Sequence, residues 1–351
     1  QGPNGWVSLG AAALPGENRF TAYRYHGQRE AFHLSLEFEG HTGVNGRFQL
    51  PTITLNFGSD PYHALQQHAD VLRTTGLAPT ITNPDQPAWW HQPIFCGWGA
   101  QCHVAAAEKG RAPDYARQAL YEQFLETLTA NDASPGIVVL DDKWQADYGT
   151  NQVDTEKWPD LPRFVQKQHA QGRKVLLWLK AWDPEGLPAD ECIRNAAGLP
   201  IAFDPTNPVF EQRLQTAVFN MLSPDGYDAD GFKLDFTARI PSGPGMQMFG
   251  NLWGLELMKQ YLRILYKSAK QVKPDALIMT HTPHPYLADT VDMIRLNDIN
   301  MGKDVNKAMQ HRARIAAIAC PHAIIDTANW PITDRAASRA YLPVQAELGG
   351  H

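Results

Sequence analysis

The pattern of apolar and polar positions changes along the chain near residue 90. Before that point, segments such as FTAYRYH, AFHLSLEFEG and FQLPTITLNFG alternate between apolar and polar residues and are joined by glycine and asparagine turns. Such alternation is typical of antiparallel strands that have one face in solvent. We therefore predict a β-rich, sandwich-type N-terminal segment over residues 1–59.

A helix follows this segment. The stretch DPYHALQQHADVLRTTG places Asp60 at the N-cap, Pro61 at the first helical position and Gly76 at the end. These are the residue types that start and stop helices. We predict that residues 60–90 hold a linker helix and a connection into the next domain.

From residue 93 onward, short apolar runs alternate with longer amphipathic ones. The strand candidates are PIFCGWG (93–99), GIVVLDD (136–142), KVLLWLK (174–180), GFKLDF (231–236), ALIMTH (276–281), VDMIRLND (291–298) and AIIDTANW (323–330). Alternation of this kind is typical of a parallel sheet covered by helices. Because no glycine-rich phosphate loop follows the first strand, we predict an α/β fold of the (β/α)₈ TIM barrel type over residues 91–351, rather than a doubly wound sheet.

The predicted barrel lacks its eighth strand. The sequence ends in DRAASRAYLPVQAELGGH, whose pattern is that of the helix that should precede this strand. We therefore expect a barrel truncated before the eighth strand, or one that another segment closes.

Composition excludes several classes of partner. The charged fraction is 19% and the net charge is -6, whereas a nucleic-acid surface needs a clustered basic excess. No run of about 18 or more apolar residues predicts a membrane-spanning helix, and QGPNGWVSLG lacks the basic start and apolar core of a signal peptide. Four scattered cysteines are too few for a disulfide framework or a zinc site. We expect neither a nucleic-acid nor a membrane partner, while compartment and oligomeric state stay open.

Carboxylates, lysines and tryptophans gather at the carboxyl ends of the predicted strands, where barrels of this kind build their active sites. These residues are Asp141, Asp142 and Trp144 in the second strand region, Lys180 and Trp182 in the third, Arg295 and Asp298 in the sixth, and Trp330 in the seventh. Trp178, Lys180 and Trp182 occupy every second position, so we expect them on one face of a strand.

The strand GFKLDF has an unusual pair of charges for a buried run. Its period of two places Phe232, Leu234 and Phe236 toward the helices, and Lys233 and Asp235 toward the barrel mouth. A buried carboxylate beside a lysine is costly unless the pair is hydrogen-bonded and useful. A functional pair and a structural ion pair inside the barrel both satisfy this condition.

The order DDKW, WLKAWDPE, FDPTNP, GFKLDF and RLND resembles the catalytic barrel of clan D glycoside hydrolases, the group of families 27, 31 and 36. It is most similar to the family 36 α-galactosidases. The resemblance covers roughly residues 60 to 350. No single tetrapeptide is decisive, so the evidence is the order of all five at barrel-like spacing.

The resemblance implies that Asp235 is the nucleophile and Asp298 the general acid/base of a retaining glycosidase. Such an enzyme needs one carboxyl to attack the anomeric carbon and another to protonate the leaving oxygen. Asp235 must stay ionised, which the ammonium of Lys233 would favour, and Asp298 needs a raised pKa. Strand alternation puts Arg295 and Asp298 on opposite faces, so Asp298 should already lie in the loop. The alternative for Asp298 is a carboxylate bonded to local backbone.

The resemblance also implies a set of substrate-binding residues. Asp141 and Asp142 match the pair that holds the axial 4-hydroxyl and the 6-hydroxyl of galactose, although a helix-capping role for one of them is an alternative. Lys233 would bind another hydroxyl, and Arg295 would support the 2-hydroxyl or orient Asp298. Lys180 is a further polar candidate. The candidates for apolar walls, each with core packing as its alternative, are Trp98, Trp144, Trp182 and Trp330.

Two features depart from family 36. This chain has THTPHPY, with His281 and His284, where the family usually has a loop rich in cysteine and glycine. Lys143 occupies the position of the glycine that usually follows the double acid. We interpret His281 as a hydrogen-bonding group of a sugar pocket, and we expect no metal or other cofactor because nothing else in the chain has ligand spacing.

Three hypotheses for the function follow. The first is a retaining α-galactosidase-like hydrolase that acts on an oligosaccharide or other α-glycoside. The second is an α-glucosidase or other α-glycosidase in the style of family 31, which shares the Asp-x-Thr-Asn-Pro turn and the β-rich N-terminal unit. The third is a carbohydrate-binding protein or fragment that has lost catalysis.

Overall fold

The structure is a computed structural model. It describes residues 5–29, 31–82, 86–296, 298, 304–328 and 335–348.

The N-terminal segment contains four strands, β1 (Trp6–Ala12), β2 (Ala22–Gly27), β3 (Phe32–Glu37) and β4 (Thr52–Gly58). Strand β1 pairs with β4 and strand β2 pairs with β3, both antiparallel. The segment is therefore rich in antiparallel strands, as the alternating pattern predicts. The strands form two separate two-stranded sheets, and a sandwich stays a prediction.

Helix α1 (Pro61–Thr74) follows the four strands and contacts β1 and β4. It begins as predicted, because the Asp60 carboxylate accepts hydrogen bonds from two backbone N–H groups of the first turn. The Ser8 hydroxyl of β1 donates to the Ala64 carbonyl at 2.8 Å. On its other side, the Tyr62 hydroxyl lies 3.1 Å from Nδ1 of His311. Helix α1 thus contacts both the N-terminal strands and the main part of the chain.

The main part of the chain alternates strands with helices. In chain order the elements are β5 (Ile94–Cys96), α2 (Trp98–Glu108), α3 (Gln118–Ala130), β6 (Ile137–Leu140), α4 (Leu161–Ala170), β7 (Lys174–Lys180), β8 (Cys192–Arg194), β9 (Pro200–Phe203), α5 (Pro208–Leu222), β10 (Gly231–Asp235), α6 (Gly254–Val272), β11 (Leu277–Thr280), β12 (Met293–Arg295), α7 (Val305–Ala319), β13 (Ile324–Asp326) and α8 (Arg335–Glu347). Short 3₁₀ turns cover Ala88–His91, Ala112–Tyr115, Ala189–Glu191 and Pro285–Thr290.

Seven strands form one parallel sheet in the order β13-β12-β11-β10-β7-β6-β5, which curls into part of a barrel. Each of the seven runs predicted as strands beyond residue 93 therefore contains a strand of this sheet. In the part of the chain that the structure describes, no eighth strand pairs with the outer edge of β5 or β13. The sheet is consistent with the barrel type that the sequence predicts.

The core of the molecule lies between these strands and their helices. Strands β6 and β11 are buried along their whole length, and β10 is buried up to its last residue. Strands covered on both faces need continuous apolar runs, and this is why IVVL and LIMT carry no alternation. Helix α5 begins where the Asn207 side chain accepts a hydrogen bond from the N–H of Val209.

The hairpin of β8 and β9 is an insertion between β7 and α5 that the sequence pattern does not predict. Among the helices of the described residues, none is long and apolar enough to cross a membrane.

Candidate active site

A cavity of about 360 Å³ opens at the carboxyl ends of the parallel strands. It is lined by Trp98, Asp141, Asp142, Trp178, Lys233, Asp235, Phe236, Ala238, Arg239, His281, Arg295 and Asp298. Barrels build their active sites at this end of the sheet, from side chains that several different strands contribute. Most of the sequence-predicted site residues therefore meet in one cavity.

The buried end of the cavity holds an ion pair. Nζ of Lys233 lies 2.7 Å from Oδ2 of Asp141, and the two side chains are only 7% and 3% exposed. The strand register explains why Lys233 and Asp141 lie close together. Strands β6 and β10 flank β7, and both residues point into the barrel. Burial alone would lower the pKa of Lys233, but the charge of Asp141 outweighs it and the pKa is raised. Lys233 is therefore an ammonium ion at neutral pH.

The thiol of Cys96 completes this cluster, since Sγ lies 3.0 Å from Oδ2 of Asp141 and 3.3 Å from Nζ of Lys233. Burial, with the nearby Asp141 carboxylate, raises the pKa of Cys96 to about 12. The thiol therefore stays protonated and donates its hydrogen to the carboxylate.

The two neighbouring acids have different surroundings. Oδ1 of Asp141 accepts the N–H of Asp142 at 2.9 Å, and Oδ2 accepts from Lys233. Asp142 instead receives the Tyr148 hydroxyl on Oδ1 at 2.7 Å. Burial raises the pKa of Asp142, an effect that the Tyr148 hydrogen bond opposes. Within the described residues no side chain donates to Oδ2 of Asp142, so this oxygen is open to a ligand.

The proposed nucleophile Asp235 is the last residue of β10 and is held by two protein donors. Nε1 of Trp178 donates to its Oδ2 at 3.2 Å, and the N–H of Phe236 donates to its Oδ1 at 2.9 Å. Burial alone would raise the pKa of Asp235, but the charges of Lys233 and Arg295 and this backbone bond outweigh it, and the pKa is lowered. Asp235 is thus a fixed carboxylate.

His281 lies beside Asp235, with Nε2 at 3.4 Å from Oδ1. Its side chain is 8% exposed, and Nε2 has no hydrogen-bond partner in the described part of the chain. Burial lowers the pKa of His281, although Asp235 opposes this shift. The ring is therefore neutral at neutral pH, where Lys233 and Arg295 are the cations that keep Asp235 ionised.

Asp298 lies beyond the end of β12, in the loop, as strand alternation predicts. Its side chain is 45% exposed and forms an ion pair with the buried Arg295. Asp298 also lines the cavity. The structure therefore brings Asp298 to the cavity, while its role as an acid stays a prediction.

Three sequence-predicted residues do not line the cavity. Trp144 is fully buried and its Nε1 donates to the Trp178 carbonyl at 2.7 Å. Lys180 ends β7 and turns to Asp183, with Nζ 2.8 Å from Oδ2. Trp182 packs against Phe203 in the core, with ring centroids 5.4 Å apart.

The prediction that Trp182 shares a strand face with Trp178 and Lys180 is wrong. Strand β7 ends at Lys180, and Trp182 has a left-handed backbone with φ of 69°. A residue outside the ladder does not follow its alternation. Trp330 lies outside the described residues.

Phe236 also departs from its predicted place, since it lines the cavity instead of facing the helices. Strand β10 ends one residue earlier, and the φ of Phe236 is 60°. This left-handed turn points its N–H at Asp235. Strained conformations of this kind cluster at functional sites.

Besides Phe236 and Ala238, sequence reasoning missed four residues of the site, which are Cys96, Tyr148, Trp178 and Arg239. The position of Trp178 in its strand is a signal for a site residue, because it lies two residues before the carboxyl end of β7. In the sheet it lies beside Lys233 of β10. The other three lie in loops or at a strand end, where no periodicity marks which side chain turns inward.

The described residues contain no cluster of three or more His, Cys, Asp or Glu side chains that could hold a metal ion. The chemistry of the cavity is that of carboxylates, cations and aromatic rings. Such a set suits a neutral ligand with many hydroxyl groups, since carboxylates accept and cations donate hydrogen bonds.

Neither a protein-family model nor a curated protein sequence matches this chain. Solved structures do match it. One is the α-galactosidase from Thermus thermophilus in complex with stachyose, at a TM-score of 0.65 and 14% identity, over 99% of this chain and 73% of that protein.

For two further similar structures, the match covers a smaller part of the other protein. The cycloalternan-degrading enzyme from Trueperella pyogenes, in complex with a covalent intermediate, has a TM-score of 0.54 and 14% identity over 80% of this chain and 42% of that one. An uncharacterised protein from Listeria monocytogenes, in complex with α-D-glucose, β-D-glucose, magnesium and calcium, has a TM-score of 0.53 and 14% identity over 79% and 28%. The chain thus spans less than half the length of these two proteins, and it shares a fold that glycoside hydrolases use.

Proposed function

We propose that this chain is the catalytic barrel of a retaining glycoside hydrolase that acts on α-glycosides and is most similar to the family 36 α-galactosidases of clan D. The observation that carries the proposal is Asp235, a largely buried carboxylate whose pKa is lowered and whose two oxygens are held by Trp178 and Phe236. It lines the same cavity as a second carboxyl group, Asp298.

The proposed reaction has two steps. In the first, an Asp235 oxygen bonds to the anomeric carbon while the glycosidic carbon–oxygen bond breaks, and Asp298 gives its proton to the leaving oxygen. In the second, Asp298 takes a proton from water, the water oxygen bonds to the anomeric carbon, and the bond to Asp235 breaks. Each step inverts the configuration at the anomeric carbon, so the two steps together retain it.

Recognition of the sugar ring would come from the buried end of the cavity. Asp142 offers its open oxygen, and Lys233 and Arg295 offer N–H donors. Nε2 of His281 lacks a partner and can bond to a hydroxyl near the anomeric carbon. The rings of Trp98 and Trp178 supply apolar walls.

An α-glucoside is the second candidate substrate. It is favoured by His281, which stands where family 36 has its cysteine-containing loop, and by the similar structure from Listeria monocytogenes that contains glucose. The same two carboxyl groups would perform the reaction on either sugar.

Hydrolysis of aryl α-galactosides and α-glucosides tests the proposal. We expect turnover of at least one of them, and a loss of at least about 10³-fold in kcat for Asp235→Asn, because the nucleophile is removed. We expect Asp298→Ala to slow substrates with poor leaving groups far more than activated ones, since only the former need protonation.

Asp70→Asn is the matched control, because Asp70 is an exposed residue of α1 that does not line the cavity. Its activity should equal that of the unmodified protein. Unchanged turnover in Asp235→Asn would remove the nucleophile assignment. Binding of a glycoside without any turnover would favour a carbohydrate-binding protein.

A further inference from the structure

The loop between β10 and α6, residues 236–253, begins as a wall of the cavity. Two of its first residues, Ala238 and Arg239, line the cavity at exposed positions. The ion pair of Asp141 and Lys233 instead lies at the buried end. The start of the β10–α6 loop therefore forms the wall nearer the mouth of the cavity.

The two halves of this loop are held by different parts of the chain. In the second half, Gln247 pairs with Arg194 of β8, and the N–H of Phe249 donates to Oδ2 of Asp204 at 2.7 Å. In the first half, no hydrogen bond joins residues 240–246 to the parallel sheet or its helices in the described part of the chain. The backbone of the first half is therefore held from elsewhere.

Glu39 of the N-terminal segment holds the first half. The N–H of Gly243 donates to Oε2 of Glu39 at 2.6 Å, and a hydrogen bond to a carboxylate is stronger than one between neutral groups. Glu39 has a φ of 47°, in the left-handed region that favours glycine. Residues other than glycine that keep such a conformation cluster at functional sites. The turn thus keeps a carboxylate where the backbone alone favours glycine.

The N-terminal segment has further contacts with this side of the molecule. The ring of His41 stacks on Trp253, with centroids 3.4 Å apart. Oε1 of Glu256, in α6, accepts two backbone N–H groups of residues 16–18. Removal of the Glu39 carboxylate therefore releases the loop and leaves these contacts of the segment in place.

We infer that Glu39 is a positioning residue of the site, through which the N-terminal segment fixes the wall that the start of the β10–α6 loop forms. The inference rests on the proposed function for the choice of ligand, an α-glycoside whose sugar ring lies at the buried end of the cavity and whose leaving group lies at the mouth. Without the Glu39 carboxylate, the loop would hold its cavity-lining position for only part of the time, and the apparent affinity falls with that fraction. Asp235 keeps its own two donors, so bond breaking should change less.

The test measures the loop and the ligand separately. Hydrogen exchange followed by mass spectrometry reports on the amides of residues 237–246. Calorimetry on the Asp235→Asn protein gives the dissociation constants of 4-nitrophenyl α-galactoside and α-glucoside, and kcat and KM are measured on the corresponding proteins that retain Asp235. Glu39→Ala removes the carboxylate, Glu39→Gln keeps an oxygen that accepts the N–H, and Glu39→Gly also relieves the left-handed backbone.

We expect Glu39→Ala and Glu39→Gly to speed exchange of residues 237–246 and to weaken glycoside binding roughly fivefold, the usual size of one hydrogen bond. KM should rise by the same factor, with kcat within about twofold of the unmodified protein. Glu39→Gln should restore most of the affinity. Glu37→Ala is the control, because it removes a carboxylate of the same segment that pairs with Arg24, and it should change neither exchange nor binding.

Faster exchange with unchanged dissociation constants would overturn the inference, because the loop position would then not matter to the site. Unchanged exchange in both Glu39→Ala and Glu39→Gly would overturn it as well. Binding that depends on Glu39, in a protein that hydrolyses neither glycoside, would retain the positioning role and overturn the proposed hydrolysis instead. The two failures are thus distinguishable.

Discussion

Asp141 and Asp142 show how far two adjacent side chains of one type can differ. Both oxygens of Asp141 are occupied by protein donors at the buried end of the cavity. Asp142 has one oxygen occupied by Tyr148 and one open. We therefore interpret Asp141 mainly as the counter-ion that keeps Lys233 in place, and Asp142 as the acid that meets a sugar hydroxyl.

Tyr148 is in turn held by two cations, since Nζ of Lys143 and Nζ of Lys180 lie 3.9 and 4.1 Å from its ring centroid. Lys143 has a φ of 72°, in the left-handed region that favours glycine. It occupies the position that the sequence resemblance matches to a glycine of family 36. Its contacts with Tyr148 and Glu185 give a reason for a lysine in a strained position.

We predict that Tyr148→Phe raises KM for an α-glycoside by roughly tenfold with a smaller effect on kcat, because a hydrogen bond to a carboxylate is lost. The Tyr148 hydrogen bond lowers the pKa of Asp142. Its loss lets that pKa rise, so the increase of KM toward acid pH should begin at a higher pH in the variant. KM profiles against pH measure this shift.

Tyr25→Phe is the control, because Tyr25 is 74% exposed on the N-terminal strands. A merely structural Tyr148 would change KM without moving the pH profile. An unmoved profile would therefore contradict the positioning role.

At the residue scale the sequence predicts the members of the site better than their roles. Asp141, Lys233, Asp235 and Arg295 are predictable because polar residues inside or at the end of a buried apolar run need a reason to be there. Tyr148 and Arg239 are not predictable, since they come from loops in which nothing in the pattern specifies direction.

At the scale of elements, the strands were the part of the fold most open to prediction. Parallel strands covered on both faces must be continuous apolar runs, and this signal is present in β6, β7 and β11. Strand ends are less predictable. Lys143, Trp182 and Phe236 turn the chain through left-handed residues, and sequence gives no warning when such a residue is not glycine or asparagine.

The amino ends of the strands have their own polar cluster, centred on Asp230 just before β10. Its carboxylate is 1% exposed and accepts from Nζ of Lys174 at 3.0 Å, from the N–H of Val175 at 2.9 Å and from His169 at 2.7 Å. Burial alone would raise the pKa of Asp230, but these bonds and the nearby Lys273 outweigh it and lower the pKa. The cluster ties β10 to β7 and α4 at the end opposite the cavity.

We predict that Asp230→Asn lowers the free energy of unfolding by about 3 kcal/mol at pH 7, because the partly buried Lys174 and Lys273 lose their carboxylate partner. A carboxylate with a depressed folded-state pKa stabilises the fold above its unfolded pKa, and this contribution disappears as the pH falls through the folded pKa. The difference in the free energy of unfolding between the unmodified protein and Asp230→Asn should therefore become smaller below about pH 4. Urea unfolding at pH 7 and in acid measures it.

Asp228→Asn is the matched comparison. Asp228 pairs with Lys273 at 2.8 Å, but its side chain is 37% exposed. Exposed pairs contribute less than about 1 kcal/mol. A similar decrease in the free energy of unfolding for the two variants would contradict the view that burial makes the contribution of Asp230 larger.

At the scale of the whole molecule, the fold is shared with the α-galactosidase from Thermus thermophilus at 14% identity over 99% of this chain. Identity this low is enough for a fold because apolar pattern and strand order, rather than particular residues, determine the barrel. The sequence predicts that the N-terminal segment is rich in strands, but it does not predict which strands pair. Their pairing depends on which neighbours are adjacent in space. The strands of the β8–β9 hairpin have three and four residues, too few to show a clear period.

The proposed reaction requires that Asp235 forms a covalent bond to the sugar. The most direct test is peptide mass spectrometry after incubation with a 5-fluoro-α-glycosyl fluoride of the preferred sugar, whose ring fluorine slows breakdown of a glycosyl–enzyme. We predict a mass increase of one fluorosugar on the peptide that contains Asp235, and none in Asp235→Asn. A label on another carboxylate, or an unlabelled protein that still hydrolyses α-glycosides, would show that Asp235 is not the nucleophile.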